Sequence, residues 1–251
     1  MTQKSVLITG ATAGFGAATA RRFAAAGWRL VLAGRRAERL EALKAELAGV
    51  PVHTIALDVR DRAAVQAAFA GLPAEFAALD VLVNNAGLAL GTEPADKVPL
   101  DDWEQMVDTN IKGLMYCSHA AIPGMVARKS GHIVNLGSIA GTYPYPGGNV
   151  YGGTKAFVHQ FSLNLRADLV QHGVRVTSVE PGLAESEFSI VRYHGDVAKA
   201  KAVYAGTQPI RPEDVAEVVF FCVSMPPNVN INVIELMAGC QAFNGFNIVR
   251  S

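Results

Sequence analysis

The stretch Ser5-Val-Leu-Ile-Thr-Gly10-Ala-Thr-Ala-Gly14-Phe-Gly16 decides the architecture. Five residues suited to a short strand run straight into a turn with three glycines. The next segment, Ala17–Ala26, is rich in helix-compatible residues and stops before Gly27, and Arg29–Ala33 is apolar again. Strand, glycine turn, helix and strand form a βαβ opening, with glycine at the turn and at the helix exit. Small residues let a backbone approach a pyrophosphate, and the following helix N-terminus adds amides and a favourable dipole. The spacing differs from the compact GxGxxG fingerprint. Gly10, Thr12, Ala13, Gly14, Phe15 and Gly16 are therefore candidate dinucleotide contacts on the strength of the βαβ order around them.

The alternation continues outward. Helices are expected at Ala37–Ala48, Arg62–Ala70, within Asp102–Arg128, at Ala156–Val170 and at Pro212–Ser224. Pro123 is expected to break or kink the third of these. Strands are expected at Val52–Leu57, Asp80–Asn84, His132–Leu136, Val174–Val179 and Ile231–Leu236. This rhythm predicts an α/β fold, a Rossmann-like doubly wound parallel sheet flanked by helices on both faces. No linker divides residues 1–251, so one domain is expected. Residues 183–209 interrupt the rhythm with small and polar side chains and read as a substrate-side lid.

Composition narrows the class. The chain has 251 residues, half of them apolar and 18% charged, which fills a substantial core and argues against disorder. Its 22 basic and 22 acidic side chains cancel, and no long basic run gives nucleic acid a purchase. No apolar run is long enough to span a bilayer, and the opening MTQKSVLITG is too short in apolar residues for a secretion signal. Cys117, Cys222 and Cys240 suggest neither disulfides nor zinc, and His132, His159 and His172 form no metal-ligand grouping. A cytoplasmic, metal-free protein with no membrane or nucleic-acid partner is the expectation.

Gly34-Arg35-Arg36 follows the second strand, where a bound adenosine ribose would lie. An acidic residue there would favour free ribose hydroxyls. Two arginines suit a 2′-phosphate, so NADP(H) is the expected cofactor; Arg36 has the further option of stacking on adenine. Asp58 and Val59, at a strand end, are candidate adenine contacts, although Asp58 also suits a capping role.

Tyr151-Gly-Gly-Thr-Lys155 places a phenol and an amine four positions apart, on one side if the segment is helical. Ser138 lies thirteen residues upstream of Tyr151, after a strand. Alone, each has an ordinary alternative: a turn cap for Ser138, packing for Tyr151, an exposed charge for Lys155. Together with the TGxxxGxG pattern at Thr9 to Gly16 and Asn84-Asn85-Ala86-Gly87, they resemble the short-chain dehydrogenase/reductase family. Asn110 is similar to the asparagine of that family's catalytic tetrad, and Pro181-Gly182-Leu183 to a landmark beside the cofactor. The resemblance implies catalysis by Asn110, Ser138, Tyr151 and Lys155, with Asn85, Ala86, Gly87, Pro181, Gly182, Leu183 and Ser186 beside the cofactor. It also implies a homotetramer.

A narrower resemblance follows from NNAGLALG, Pro144 to Tyr151, GGTKAFVHQFSLNLR and NINVIEL. These are similar to the bacterial NADP-dependent 3-hydroxy-acid dehydrogenase branch, which includes serine and allo-threonine dehydrogenases. The implied reaction joins short 3-hydroxy acids to 3-oxo acids or semialdehydes. A sulfonate-bearing aldehyde such as sulfoacetaldehyde is an alternative substrate, and a noncatalytic NADP-binding regulatory protein is the alternative of another class. Tyr145 is a candidate pocket wall. Arg192 is a candidate carboxylate clamp, with an exposed lid charge or a bridge to Asp196 as its competing role. Ala184-Glu185-Ser186-Glu187-Phe188 is one residue shorter than in that branch and lacks its glycines. The aromatic segment 243–246 suits a subunit interface or a pocket wall.

Overall fold

The computed structural model describes residues 3–243. Residues 244–246 of the late aromatic segment lie outside the described residues. The framework is a seven-stranded, all-parallel sheet. Its strands are β1 (Ser5–Thr9), β2 (Arg29–Gly34), β3 (Val52–Ala56), β4 (Val81–Asn84), β5 (Gly131–Leu136), β6 (Val174–Pro181) and β7 (Val233–Leu236), in the order β3-β2-β1-β4-β5-β6-β7. The chain moves outward from β1 to β3, then returns to the other side of β1 to build β4 onward. That reversal opens a crevice beyond the carboxyl ends of β1 and β4, the usual ligand position in doubly wound sheets.

Strand periodicity sorts the core into two layers. Val6 and Ile8 face one cluster with helices α1 (Gly14–Ala25), α2 (Ala37–Glu46) and Pro212–Ser224, through Phe23, Leu40 and Val219. Leu7 faces the other cluster with α3 (Arg62–Ala70), α4 (Ala74–Ala77) and Leu114–Arg128, through Val65, Phe76 and Met125. The remaining helices, in chain order, are α5 (Leu100–Val107), α6 (Leu114–Arg128), α7 (Asn149–Leu169), α8 (Phe188–Arg192), α9 (Val197–Ala202) and α10 (Pro212–Ser224).

Several boundaries differ from the sequence expectation for physical reasons. Helix α1 begins at Gly14 rather than Ala17, because the glycines that discourage helix in isolation here form its first turn. The Asp102–Arg128 region contains α5, a π-helical turn over Asp108–Gly113, and α6. Pro123 does not end α6; it sits on the exposed side, where water can satisfy the carbonyl that its missing N–H leaves unpaired. Helix α7 begins at Asn149 rather than Ala156, so Tyr151 and Lys155 both lie on it. The segment 183–209 carries α8 and α9, and Asp196 caps α9 by accepting from the Lys199 amide at 3.0 Å.

A buried polar ladder ties the sheet to the helices around the crevice. Asn84 Nδ2 donates to Ser118 Oγ of α6 and to Asn135 Oδ1 of β5, both at 2.9 Å. Asn135 Nδ2 donates to Ser162 Oγ of α7 at 2.9 Å, and that hydroxyl donates to the Val158 carbonyl at 2.6 Å. These bonds hold α7 in register against β5, which fixes the axial position of Tyr151 and Lys155.

His132 gives the fold a pH dependence. The Thr177 hydroxyl donates to the Ile231 carbonyl at 2.7 Å, so at 2.8 Å it accepts from His132 Nε2–H, leaving buried Nδ1 without a partner. Burial, then nearby Arg175, pushes the His132 pKa down to about 3. A folded-state pKa below the unfolded value means that the unfolded chain takes up the proton first. The resulting stability is present above the ordinary histidine value of about 6.5 and is lost as pH falls towards about 3. Thermal unfolding midpoints are expected to drop already between about pH 6.5 and 4.5, above the range where carboxylates dominate. The drop should be much shallower in H132Q, whose amide can keep the Thr177 bond; an equal drop in H132Q would remove His132 as its source.

Candidate active site

The glycine turn after β1 is shaped by the end of β4. Thr9 Oγ1 accepts from the Asn85 and Ala86 amides, each at 3.0 Å, while Asn85 Nδ2 donates to the Thr9 and Gly10 carbonyls at 2.9 and 3.1 Å. Gly10 has φ +65°, and a Cβ there would lie 2.9 Å from Asn85 Nδ2. Gly16 is packed still closer, against the Gly10 carbonyl. Glycine at both positions is thus a steric requirement of the turn.

The turn forms one wall of a long cavity at the carboxyl ends of the strands. Gly10, Ala13, Gly14 and Phe15 line it from the turn, and Arg35, Arg36, Asp58 and Val59 from the ends of β2 and β3. Asn85, Ala86 and Gly87 line it after β4, Tyr151 and Lys155 from α7, and Ser186 from the lid side. Part of the expected set therefore shares one space, while Thr12, Gly16, Asn110, Ser138, Tyr145, Pro181, Gly182, Leu183 and Arg192 do not line it. Glycines along one wall and two arginines after β2 fit a dinucleotide carrying a 2′-phosphate. Among the described residues, no group of three or more His, Cys, Asp or Glu side chains could hold a metal ion. No helix there is long and apolar enough to cross a membrane.

Bonds within and behind this lining fix its shape. Thr12 Oγ1 accepts from Arg36 Nε and Nη2 at 3.1 and 2.8 Å, so Arg36 braces the turn. Arg35 is exposed beside it. Asp58 is gripped by Arg60 through contacts of 2.6 to 3.0 Å, which hold its carboxyl below the usual range. Pro181 ends β6, the Gly182 amide donates to the Leu236 carbonyl at 2.8 Å, and the Leu183 amide donates to Gln241 Oε1 at 2.7 Å. These three fix where the lid leaves the sheet.

Tyr151 and Lys155 are one turn apart on α7, each 8% exposed. Lys155 Nζ donates to the Leu136 carbonyl at 2.7 Å. Burial lowers its pKa to about 8, against the opposing field of buried Glu180. Burial pushes the Tyr151 phenol up to about 12, while a hydrogen bond with Ser138 and the charge of Arg192 pull the other way. Ser138 combines the two roles open to it from sequence: it caps a short turn by accepting from the Ala140 amide at 3.1 Å, and its hydroxyl faces Tyr151. Asn110 sits in the π-helical turn and is fully used as a strut. It accepts from the Leu88 amide at 2.8 Å and donates to the Leu88 carbonyl at 2.8 Å and to Thr154 Oγ1 at 3.0 Å. It thereby joins the β4 loop to α7 one residue before Lys155.

Residues of the 183–209 segment border the Tyr151 end. Phe188 packs on the Tyr151 ring at 5.6 Å between centroids. Arg192 does not bridge to Asp196: its Nε donates to the Gly91 carbonyl at 3.2 Å and its Nη2 to the Tyr145 hydroxyl at 2.8 Å. This sets its guanidinium 5.7 Å from the centre of the Tyr151 ring. Arg39, Glu187, Phe188 and Glu180 were not singled out by sequence. Only Arg39 left a signal, being three positions beyond Arg36 on the first turns of α2.

Residues 4–195 match the short chain dehydrogenase family, and the chain belongs to it. Over 247 residues it is 56% identical to a Salmonella typhi protein named NADP-dependent 3-hydroxy acid dehydrogenase, covering 98% of this chain and 99% of that one. It is 55% identical over 247 residues to sulfoacetaldehyde reductase 2 of Chromohalobacter salexigens, covering 98% of both. Its fold superimposes with a TM-score of 0.93 on the closed form of a serine dehydrogenase complexed with NADP+, at 54% identity, covering 98% of this chain and all of that one.

Proposed function

We propose that this chain is an NADP(H)-dependent oxidoreductase that interconverts short 3-hydroxy acids with the corresponding 3-oxo acids or semialdehydes. The observation that carries the reading is the junction at the inner end of the cavity: a buried phenol beside a buried amine, with a guanidinium held 5.7 Å from the phenol ring. The first pair suits proton transfer at an alcohol or carbonyl oxygen. The guanidinium suits an acid group on the same small molecule. Similarity to the 3-hydroxy acid dehydrogenase named above supports both halves.

The nicotinamide, when bound, would accept or supply the hydride. Tyr151 holds the proton: as phenol it protonates the developing alkoxide, and as phenolate it takes the proton from the alcohol. Lys155 stabilises the phenolate by its charge, and Ser138 donates a hydrogen bond to the substrate oxygen. Asn110 keeps α7 seated against the β4 loop and supports the water route that the family resemblance implies. Arg35 would hold the 2′-phosphate, and Gly10 to Gly16, Asn85 to Gly87 and Ser186 would hold the rest of the dinucleotide. Phe188 and residues 183–209, acting as a lid of the one domain, exclude water. The protein is read as a cytoplasmic homotetramer working on small molecules, without nucleic-acid or membrane partners.

A matched initial-rate panel tests the reading. L-serine, L-allo-threonine and 3-hydroxypropionate are offered with NADP+ and with NAD+; malonic semialdehyde and sulfoacetaldehyde are offered with NADPH and with NADH. The expected result is turnover of the hydroxy acids and malonic semialdehyde, with strong preference for the phosphorylated cofactor. A second reading, sulfoacetaldehyde reduction, is favoured by the similarity to the Chromohalobacter salexigens protein and by the indifference of a guanidinium to carboxylate or sulfonate. Turnover confined to sulfoacetaldehyde would select it. Inactivity across the panel would overturn both.

A further inference from the structure

Residues 186 and 187 cross the mouth of the cavity. A Cβ built on Gly14, which has φ +50°, would lie 3.3 Å from Ser186 Cβ, so the lid rests directly on the glycine turn. The next residue, Glu187, reaches over to the start of α2. Arg39 Nη1 donates to both of its carboxylate oxygens, at 2.8 and 2.9 Å, and Arg36 Nη1 donates to Oε2 at 3.1 Å. Arg36 turns its other edge to Thr12, through Nε and Nη2. A continuous chain of bonds therefore runs from the glycine turn through α2 to the lid. Partial burial opposes ionisation of Glu187, but Arg39 and Arg36 outweigh it and hold its carboxyl below the usual range.

This arrangement divides the labour between neighbouring arginines. Arg36 spends one edge of its fork on Thr12 and a donor on Glu187. Arg39 is committed to Glu187. Arg35 lines the same cavity, is exposed, and is bonded to neither Thr12 nor Glu187, which leaves its fork for an incoming phosphate. Glu187, faced by two guanidiniums, is neutralised and does not repel that phosphate. We propose that Glu187 and Arg39, with Arg36 as their brace, are positioning residues that latch the lid over a bound dinucleotide and slow its release. The proposal rests on the reading that this cavity binds NADP(H).

The side chains involved are 39% to 44% exposed, so each ion pair is weak alone, and salt should loosen the latch. The experiment is displacement of bound NADPH, followed by its fluorescence, in the intact protein and in E187Q, R39A and the double variant, at low and high salt. Unfolding midpoints of the free proteins confirm that each variant is folded. The expected result is release roughly two- to fivefold faster in E187Q and in R39A, with no further gain in the double variant. Added salt should accelerate release from the unmodified protein by a larger factor than from E187Q, where only the phosphate contacts are left to screen.

Unaltered release from E187Q would overturn the latch while leaving the cofactor reading intact. Tighter NADPH binding by E187Q would also overturn it, by making Glu187 a competitor of the 2′-phosphate. So would loss of NADPH binding in R39A with none in E187Q, because Arg39 would then be a phosphate ligand. Failure of the unmodified protein to bind NADPH at all would overturn the latch and the reading beneath it.

Discussion

Tyr151→Phe is expected to lower turnover roughly 100- to 10,000-fold in both directions, the usual range for loss of a positioned acid–base group. The ring is retained, so its contact with Phe188 at 5.6 Å persists, and the variant should fold and bind NADPH as the unmodified protein does. What disappears is the hydroxyl that faces Ser138. The pH dependence of the unmodified enzyme follows from the same group. Oxidation needs the phenolate and reduction needs the phenol. Burial sets the phenol at about 12, so neutral pH favours the reductive form. Oxidation should therefore accelerate as pH rises into the alkaline range, and reduction should slow. Lys155 limits the alkaline gain, because its own proton is lost as pH passes about 8 in the cofactor-free protein. Initial rates across pH for both proteins, with unfolding midpoints alongside, check the assignment. Ordinary turnover in a folded Y151F protein would remove Tyr151 from the chemistry.

The legible part of this site is the part written in local pattern. The glycine turn, the arginines after β2 and the Tyr151/Lys155 spacing each sit within a few residues of a strand end or on one helical turn, and all of them line one cavity. Fold class was legible for the same reason, since alternation of strand and helix is a local signal repeated along the chain. What escaped was set by distant contacts. Helix α7 was read as starting late because Gly152 and Gly153 are poor helix formers; its first turns are held by packing, with the Gly152 amide bonded to the Gly148 carbonyl at 2.8 Å. The role of Arg36 depends on Thr12 and on Glu187, 151 positions away, and no local spacing reports that pair. A bridge from Arg192 to Asp196 would need the two residues on one helical face. Helix α8 ends at Arg192, His194 takes the left-handed conformation at φ +51°, and Asp196 begins a new helix as its cap. The four-residue spacing survives in sequence, but the helical face that would make it a contact does not.

Removal of that bridge leaves Arg192 available for the acid group of a substrate, and its substitution is the second large effect expected. Gly91 and Tyr145 fix the plane of the guanidinium beside the Tyr151 ring, so the fork is preorganised where a short 3-hydroxy acid would extend from the reacting carbon. Hydrogen bonds to charged groups contribute about 1.5–3 kcal/mol, so R192A should raise KM for carboxylate or sulfonate substrates about 10- to 100-fold. NADPH affinity should hold, and the rate with a neutral carbonyl compound of similar size should change little. Arg192 also ties α8 to the β4 loop through the Gly91 carbonyl, so a purely structural role has its own signature: equal losses for charged and neutral substrates. R192K separates the two further. An ammonium keeps the charge but cannot reproduce the two-point grip on Gly91 and Tyr145, so it should recover part of the discrimination for acids if charge recognition is the cause. Equal losses in R192A, with no recovery in R192K, would assign Arg192 to lid structure and move the acid-binding role elsewhere in the cavity.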